Sequence, residues 1–195
     1  SEGTWAVGKS VGAERDRIAQ HLKVEQGTCY SHGRRAIALV APCSYAVGMS
    51  SLGYQTVYAA LNNLPDTMAE RAFLPDAGDR FITYESMRPA GDFPVVAFSI
   101  AYELEITGLF ECLSHLGVPL LREQRDARPG GRHPWIVAGG PLTFSNPTPL
   151  APFVDVIVMP HNGMAPTLVY GEHLLVWRGA SPDMGAIMVC PPPRK

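Results

Sequence analysis

Clustered positive charge is missing from this sequence. Sixteen basic residues stand against eighteen acidic ones, for a net charge of −2. No segment gathers enough Lys and Arg to follow a phosphate backbone, so nucleic acid is not an expected partner. Long apolar runs are missing too, and none approaches the roughly 18 residues of a membrane span. The first twenty residues carry Glu2, Glu14 and Asp16 and no apolar block, which is not the pattern of a secretory signal. Cysteine is sparse. Cys29, Cys43, Cys112 and Cys190 include no Cys-x-x-Cys pair and have no His at zinc-finger distance. They read as reduced thiols, mostly small buried apolar side chains, and the expected location is cytoplasmic. His21, His32, His115, His133, His161 and His173 are scattered, with no i, i+4 pair on an expected helix. His161, at the carboxyl end of a strand, is the one histidine worth watching. No Walker loop, no Gly-x-Gly-x-x-Gly and no Gly-x-Ser-x-Gly elbow occurs, which argues against nucleoside triphosphate, NAD and serine-hydrolase chemistry.

What is present is an ordinary globular balance. Of 195 residues, 46% are apolar and 17% charged, enough for one full core. Nineteen Gly and eighteen Pro imply many loops between short elements. Residues 10–23 can form a helix, with Val11, Ile18, Ala19 and Leu22 partly on one face. A polar linker follows over 26–34. This N-terminal arm, residues 1–34, either packs on the main domain or offers a helix to a partner. Its narrow apolar face is expected to add little to the core, so that a chain lacking residues 1–24 would still fold.

From residue 35 to 176 the pattern is strand, loop, helix, repeated. Short apolar runs at 36–41 and 94–100 fit strands buried on both faces. Weaker strands are expected at 70–74, 118–121, 135–138 and 153–159. Ser50 or Ser51 can cap a helix reaching Asn62. A second helix runs from 102 to 116, closed by Gly117, and a weak one covers 165–175. The tail, 177–195, offers an edge strand at 184–190. Strands alternating with helices imply a doubly wound, mostly parallel α/β sheet of flavodoxin-like type. Ligands of such sheets lie outside the carboxyl ends of the strands. That selects three loops, 42–51, 99–105 and 139–146.

The first loop carries Pro42, Cys43, Ser44, Tyr45, Gly48, Met49, Ser50, Ser51 and Gly53. Downstream come Glu70 with Arg71, Glu85 with Ser86, Phe98 with Ser99 and Ile100, then Gly117, then Gly139, Gly140 and Pro141, then Asn146 with Pro147. In this order and spacing, over about residues 35–158, they resemble the N-terminal, cobalamin-binding-like domain of a family of radical SAM proteins. The resemblance places Cys43 where the cobalamin fold has Asp, Tyr45 at its cobalt-ligating His and Gly48 at its Gly. Ser99 stands at a Ser that contacts the cofactor's tail, and Gly139 with Gly140 at a Gly pair against which the tail lies. The implied cofactor-binding set is Cys43, Tyr45, Gly48, Met49, Ser50, Ser99, Ile100, Gly139, Gly140 and Pro141.

Each of these residues also has a plainer reading. Gly48 and Gly53 can serve a tight turn and close packing, Ser99 can cap the helix after it, and Met49 can be core. Glu103 and Glu105 suit a helix N-terminus for electrostatic reasons alone. The chain also departs from the fold's pattern. A phenol with pKa near 10 is a poor cobalt ligand, and Cys43 cannot orient an imidazole. Pro160, His161, Asn162 and Gly163 replace the family's Gly-Glu-Gly-Glu-like turn. No Cys-x-x-x-Cys-x-x-Cys exists, so no iron–sulfur cluster is expected in this chain. The expectation is a corrinoid (cobalamin) module, base-off and without a His ligand, serving a radical SAM or methyltransferase partner protein. The alternative is an interaction module that keeps the fold without the cofactor. No turnover by the isolated chain is expected.

Overall fold

The computed structural model describes residues 11–125, 131–160, 173–178 and 185–188. Strand β1, Arg35–Ala41, sets the layering through its alternation. Ala38 and Val40 join one buried cluster, while Leu39 and Ala41 join another on the opposite face. On the Leu39 side lies helix α3, Leu52–Asn62, with Tyr54 and Tyr58 buried. On the Val40 side lies helix α4, Glu105–Leu116, with Leu109, Cys112 and Leu113 buried. The sheet also holds β2 (Thr67–Phe73), β3 (Val95–Ser99), β4 (Trp135–Gly139), β5 (Val156–Pro160), β6 (His173–Arg178) and β7 (Gly185–Met188). Its order is β2-β1-β3-β4-β5-β6-β7. The neighbours from β2 through β5 pair in parallel, and β6 and β7 are antiparallel additions. This is a doubly wound, mostly parallel α/β sheet with helices on both faces.

Several expectations shift on inspection. The loop after β1 contains a short helix, α2 (Tyr45–Ser50), before Ser51 caps α3 by accepting from Tyr54 N–H at 3.3 Å. Residues 118–121 form no strand. Pro119 cannot donate to a ladder, and the carbonyls of Pro119 and Leu120 instead accept from the buried guanidinium of Arg125, at 2.9 and 3.0 Å. The stretch 81–84 contributes only an isolated bridge, Ile82 to Pro89. Residues 173–175 belong to β6 rather than to a helix; the rest of that expected helix lies outside the described residues. The edge strand expected near the C-terminus is β7.

The open side of edge strand β2 is sealed by side chains. Asn62 accepts from Ala69 N–H at 3.0 Å and donates to Ala69 O at 3.1 Å, as a neighbouring strand would. Glu85 accepts from Arg71 N–H at 2.7 Å, and Tyr84 N–H donates to Arg71 O at 2.8 Å. Such sealing prevents pairing with another chain.

The arm is part of this packing. Helix α1, Val11–Val24, places Ile18 at 2% exposure in the cluster with Leu39, Tyr54 and Phe73. Glu14 and Arg17 pair with Arg80 and Asp79. A buried isoleucine contributes as core wherever it lies in the chain, so Ile18→Ala is expected to cost about 2–4 kcal/mol of unfolding free energy. Urea denaturation of the intact chain measures it. A loss near zero would make the arm a peripheral appendage, as its amphipathicity alone suggests.

Candidate functional site

In a sheet ordered 2-1-3-4-5 the connection reverses between β1 and β3, and the carboxyl ends there form the usual ligand crevice. β1 leads into Pro42 and Cys43, β3 into Ile100, and β4 into Gly140 and helix α5, Pro141–Ser145. All three loops selected from sequence leave this one end of the sheet.

Close contacts within the chain stand at this end of the sheet. Gly140 has φ +107°, and a Cβ there would lie 2.6 Å from Ile100 O and 2.8 Å from Ile100 N. Ile100 N–H donates to Gly139 O at 2.8 Å, and Leu142 N–H donates to Ile100 O at 3.1 Å. The glycine pair thus lets two loops of this chain meet backbone to backbone. Gly108 of α4 does the same against β1, where a Cβ would overlap the Pro42 carbonyl. Ile100 is fully buried, and half-buried Ser99 sits in register with Gly139. Ser99 does not cap α4; Glu105 closes that end by accepting from Ala101 N–H at 2.6 Å. Gly48 lies under the Phe73 ring, 2.6 Å from where its Cβ would be. The close neighbours of Gly48, Gly108 and Gly140 are all atoms of this chain.

The rest of the implied set lies elsewhere. Cys43 is half-buried, and burial, with a smaller contribution from Glu105, pushes its thiol up to about 11, so it stays protonated. Ser50 and Pro141 are exposed, Ser50 donating to Val47 O at 2.7 Å. Met49 Sδ lies 3.4 Å from Arg71 Nη1. Tyr45 belongs to an aromatic group with the arm. It stacks on His21 at 3.9 Å between centroids and on Tyr84 at 5.1 Å, with planes 7° and 2° apart. Its hydroxyl donates to Glu25 at 2.7 Å, and burial followed by Glu25 pushes the phenol up to about 12. His161 and Cys190 lie outside the described residues.

What the sequence reading missed is a buried ionic cluster behind that group. Arg71 donates to Glu85 at 2.6 Å and to Glu25 at 2.8 Å, all three side chains being nearly inaccessible to water. Burial alone would lower the Arg71 pKa, but the two carboxylates outweigh it and raise it. Burial raises the Glu85 pKa against the pull of Arg71. One signal was available: Glu14, Arg17, Ile18, His21 and Glu25 recur at helical spacing along and just past α1.

A cleft of about 220 Å³ opens between α1, the start of α2 and the segment after β2. Glu14, Arg17, His21, Tyr45, Asp79 and Tyr84 are among its lining residues. No group of three His, Cys, Asp or Glu among the described residues could hold a metal ion, and no described helix is long and apolar enough to cross a membrane.

Two substitutions test this geometry. Gly140→Ala meets both a left-handed φ and the Ile100 backbone, and is expected to cost about 3 kcal/mol or more in chemical denaturation. A loop held open for a ligand would lose far less. Arg71→Met leaves Glu25 and Glu85 buried without a counter-ion and is expected to cost about 3–5 kcal/mol at pH 7. The Glu85 pKa is already raised in the native protein. Without Arg71 it rises further, so Glu85 takes up a proton as pH falls and the deficit shrinks. Denaturation at pH 7 and pH 5 measures both; a deficit that grows toward pH 5 contradicts the assignment.

A family model described as "Radical SAM proteins, N-terminal" matches residues 53–163, more than half of the chain. No curated protein and no solved structure matches it. The matched stretch runs from α3 through β5, taking in Arg71, Glu85 and the Gly139-Gly140 contact with Ile100. By that match the chain belongs to the family of radical SAM protein N-terminal domains.

Proposed function

We propose that this chain is a cofactor-free accessory domain that docks onto a radical SAM catalytic domain through the carboxyl end of its parallel sheet. One observation carries the reading: the end where a doubly wound fold receives ligands has close contacts of the chain with itself and also carries exposed apolar side chains. Leu52, at 79% exposure, opens α3 after β1. Leu104, at 77%, precedes α4 after β3, and Phe144, at 57%, lies on α5 after β4. Val47 and Tyr102 are exposed on the same connections. Exposed apolar side chains also occur elsewhere, as at Val24 and Leu64, but those on three connections that leave one end of the sheet are the ones a docked domain could cover together. The family match supports a radical SAM catalytic domain as the occupant, since domains of this family are described as the N-terminal parts of radical SAM proteins. Chemistry would reside in the partner, and this domain would supply a rigid face. The corrinoid reading has in its favour the order of motifs and the sheet topology. Against it stand the close contacts of Gly48, Gly108 and Gly140 with the chain's own atoms and the absence of an imidazole in the loop after β1.

Two measurements separate the readings. After incubation with hydroxocobalamin and desalting, the protein is expected to show no corrinoid absorbance. The double variant Leu104→Asp, Phe144→Asp is expected to bind a radical SAM catalytic domain of the family at least tenfold more weakly than the parent, with the melting midpoint within a few degrees. Stoichiometric corrinoid retention, or undiminished association by the variant, overturns the proposal.

A further inference from the structure

The cleft beside α1 is separate from the apolar rim and carries an inference of its own. Its walls combine Ile18, Phe73, Ile82 and the ring group of His21, Tyr45 and Tyr84. Burial, then Arg17, lowers the His21 pKa, so this ring is neutral at pH 7 and the wall carries no charge of its own. Asp79, 7% exposed, also lines the cleft. One of its oxygens, Oδ2, accepts from Arg17 at 2.5 Å. The other, Oδ1, is buried and accepts from nothing among the described residues. Other buried carboxylates nearby are better served. Glu14 accepts from Arg80, and Glu70 from Thr83 and Ser86. A buried acceptor left without a donor is costly, and a donor that reaches it gains correspondingly. Arg17 already balances the Asp79 charge, so that donor need not be a cation.

We propose that this cleft binds a small planar heteroaromatic carrying an exocyclic amino group. The ring lies against the aromatic wall, and the N–H donates to Asp79 Oδ1. Flat rings gain from stacking on such a wall beyond simple area burial. The volume selects the size class: about 220 Å³ lies below the 300–1,000 Å³ typical of drug-sized ligands, enough for a base and far too little for a macrocycle. Because Oδ1 is shielded, entry requires the Arg80 side chain to swing aside while Arg17 stays on Oδ2; Arg80 is substantially exposed, at 48%. Discrimination comes from the amino group, since a ring without it leaves the acceptor unpaired.

The probe is adenosine, titrated into the full isotope-labelled chain and followed by NMR, with 6-methylpurine riboside as the donor-free analogue of similar size. Saturable shifts are expected at residues 17–21, 44–46 and 73–84, with the analogue at least tenfold weaker. Asp79→Asn is expected to weaken adenosine binding at least tenfold. Should that variant fail to fold, Tyr45→Leu, which leaves Asp79 intact, is expected to weaken both ligands alike by severalfold. Equal affinity for the two ligands, shifts confined to other regions, or no saturable binding of adenosine at millimolar concentration each overturn the proposal. None of these outcomes bears on docking at the apolar rim.

Discussion

The buried guanidinium of Arg71 is the constraint around which half of this domain is arranged. An isolated charge on a buried edge strand is strongly unfavourable, and it persists only because two carboxylates meet it. Glu25 comes from the end of the arm and Glu85 from the segment that returns alongside β2. Satisfying one cation therefore ties three distant stretches of chain together. The same contacts do further duty. Glu85 also takes the Arg71 N–H and so helps to seal the sheet edge, and Glu25 takes the Tyr45 hydroxyl and so holds that ring against His21. The arm is held by this pairing as well as by Ile18.

The carboxyl end of the sheet illustrates how one residue type serves opposite purposes. A glycine at a strand end permits close approach of something, and sequence does not say of what. Here Gly108 approaches Pro42 and Gly140 approaches Ile100, so the chain meets itself. The result is a set of tight contacts at the carboxyl end of the sheet. The same end carries the exposed Leu52, Leu104 and Phe144, on which the proposed docking rests.

The family match begins at residue 53, so the arm and α2 fall outside it while β2 and the segment after it fall inside. The cleft beside α1 straddles that boundary: Glu14, Arg17, His21 and Tyr45 come from one side, Asp79 and Tyr84 from the other. A feature built in this way can differ between relatives that share the sheet, because the sheet does not require it.

The sequence by itself determined the fold class and the central strands. Runs such as 36–41 and 95–98 are apolar without a break because both faces of a parallel sheet are covered, and that pattern is local. It also narrowed the cap of α3 to Ser50 or Ser51, of which the structure uses Ser51, and placed the C-cap of α4 at Gly117, which depends on a single positive φ. The tertiary structure alone decided what the loops do. Whether Gly140 faces a ligand or Ile100 depends on how two crossovers pack. Whether residues 118–121 form a strand depends on an arginine several positions away taking their carbonyls. Tyr45 was legible as a replaced ligand position, but its stacking on His21 was not. That contact joins residues twenty-four apart through a helix whose docking is set by buried charges on β2 and the segment beyond it. Helical spacing marks the face of α1 that takes part, but not what it meets, because each charged group needs only one partner, at any separation along the chain.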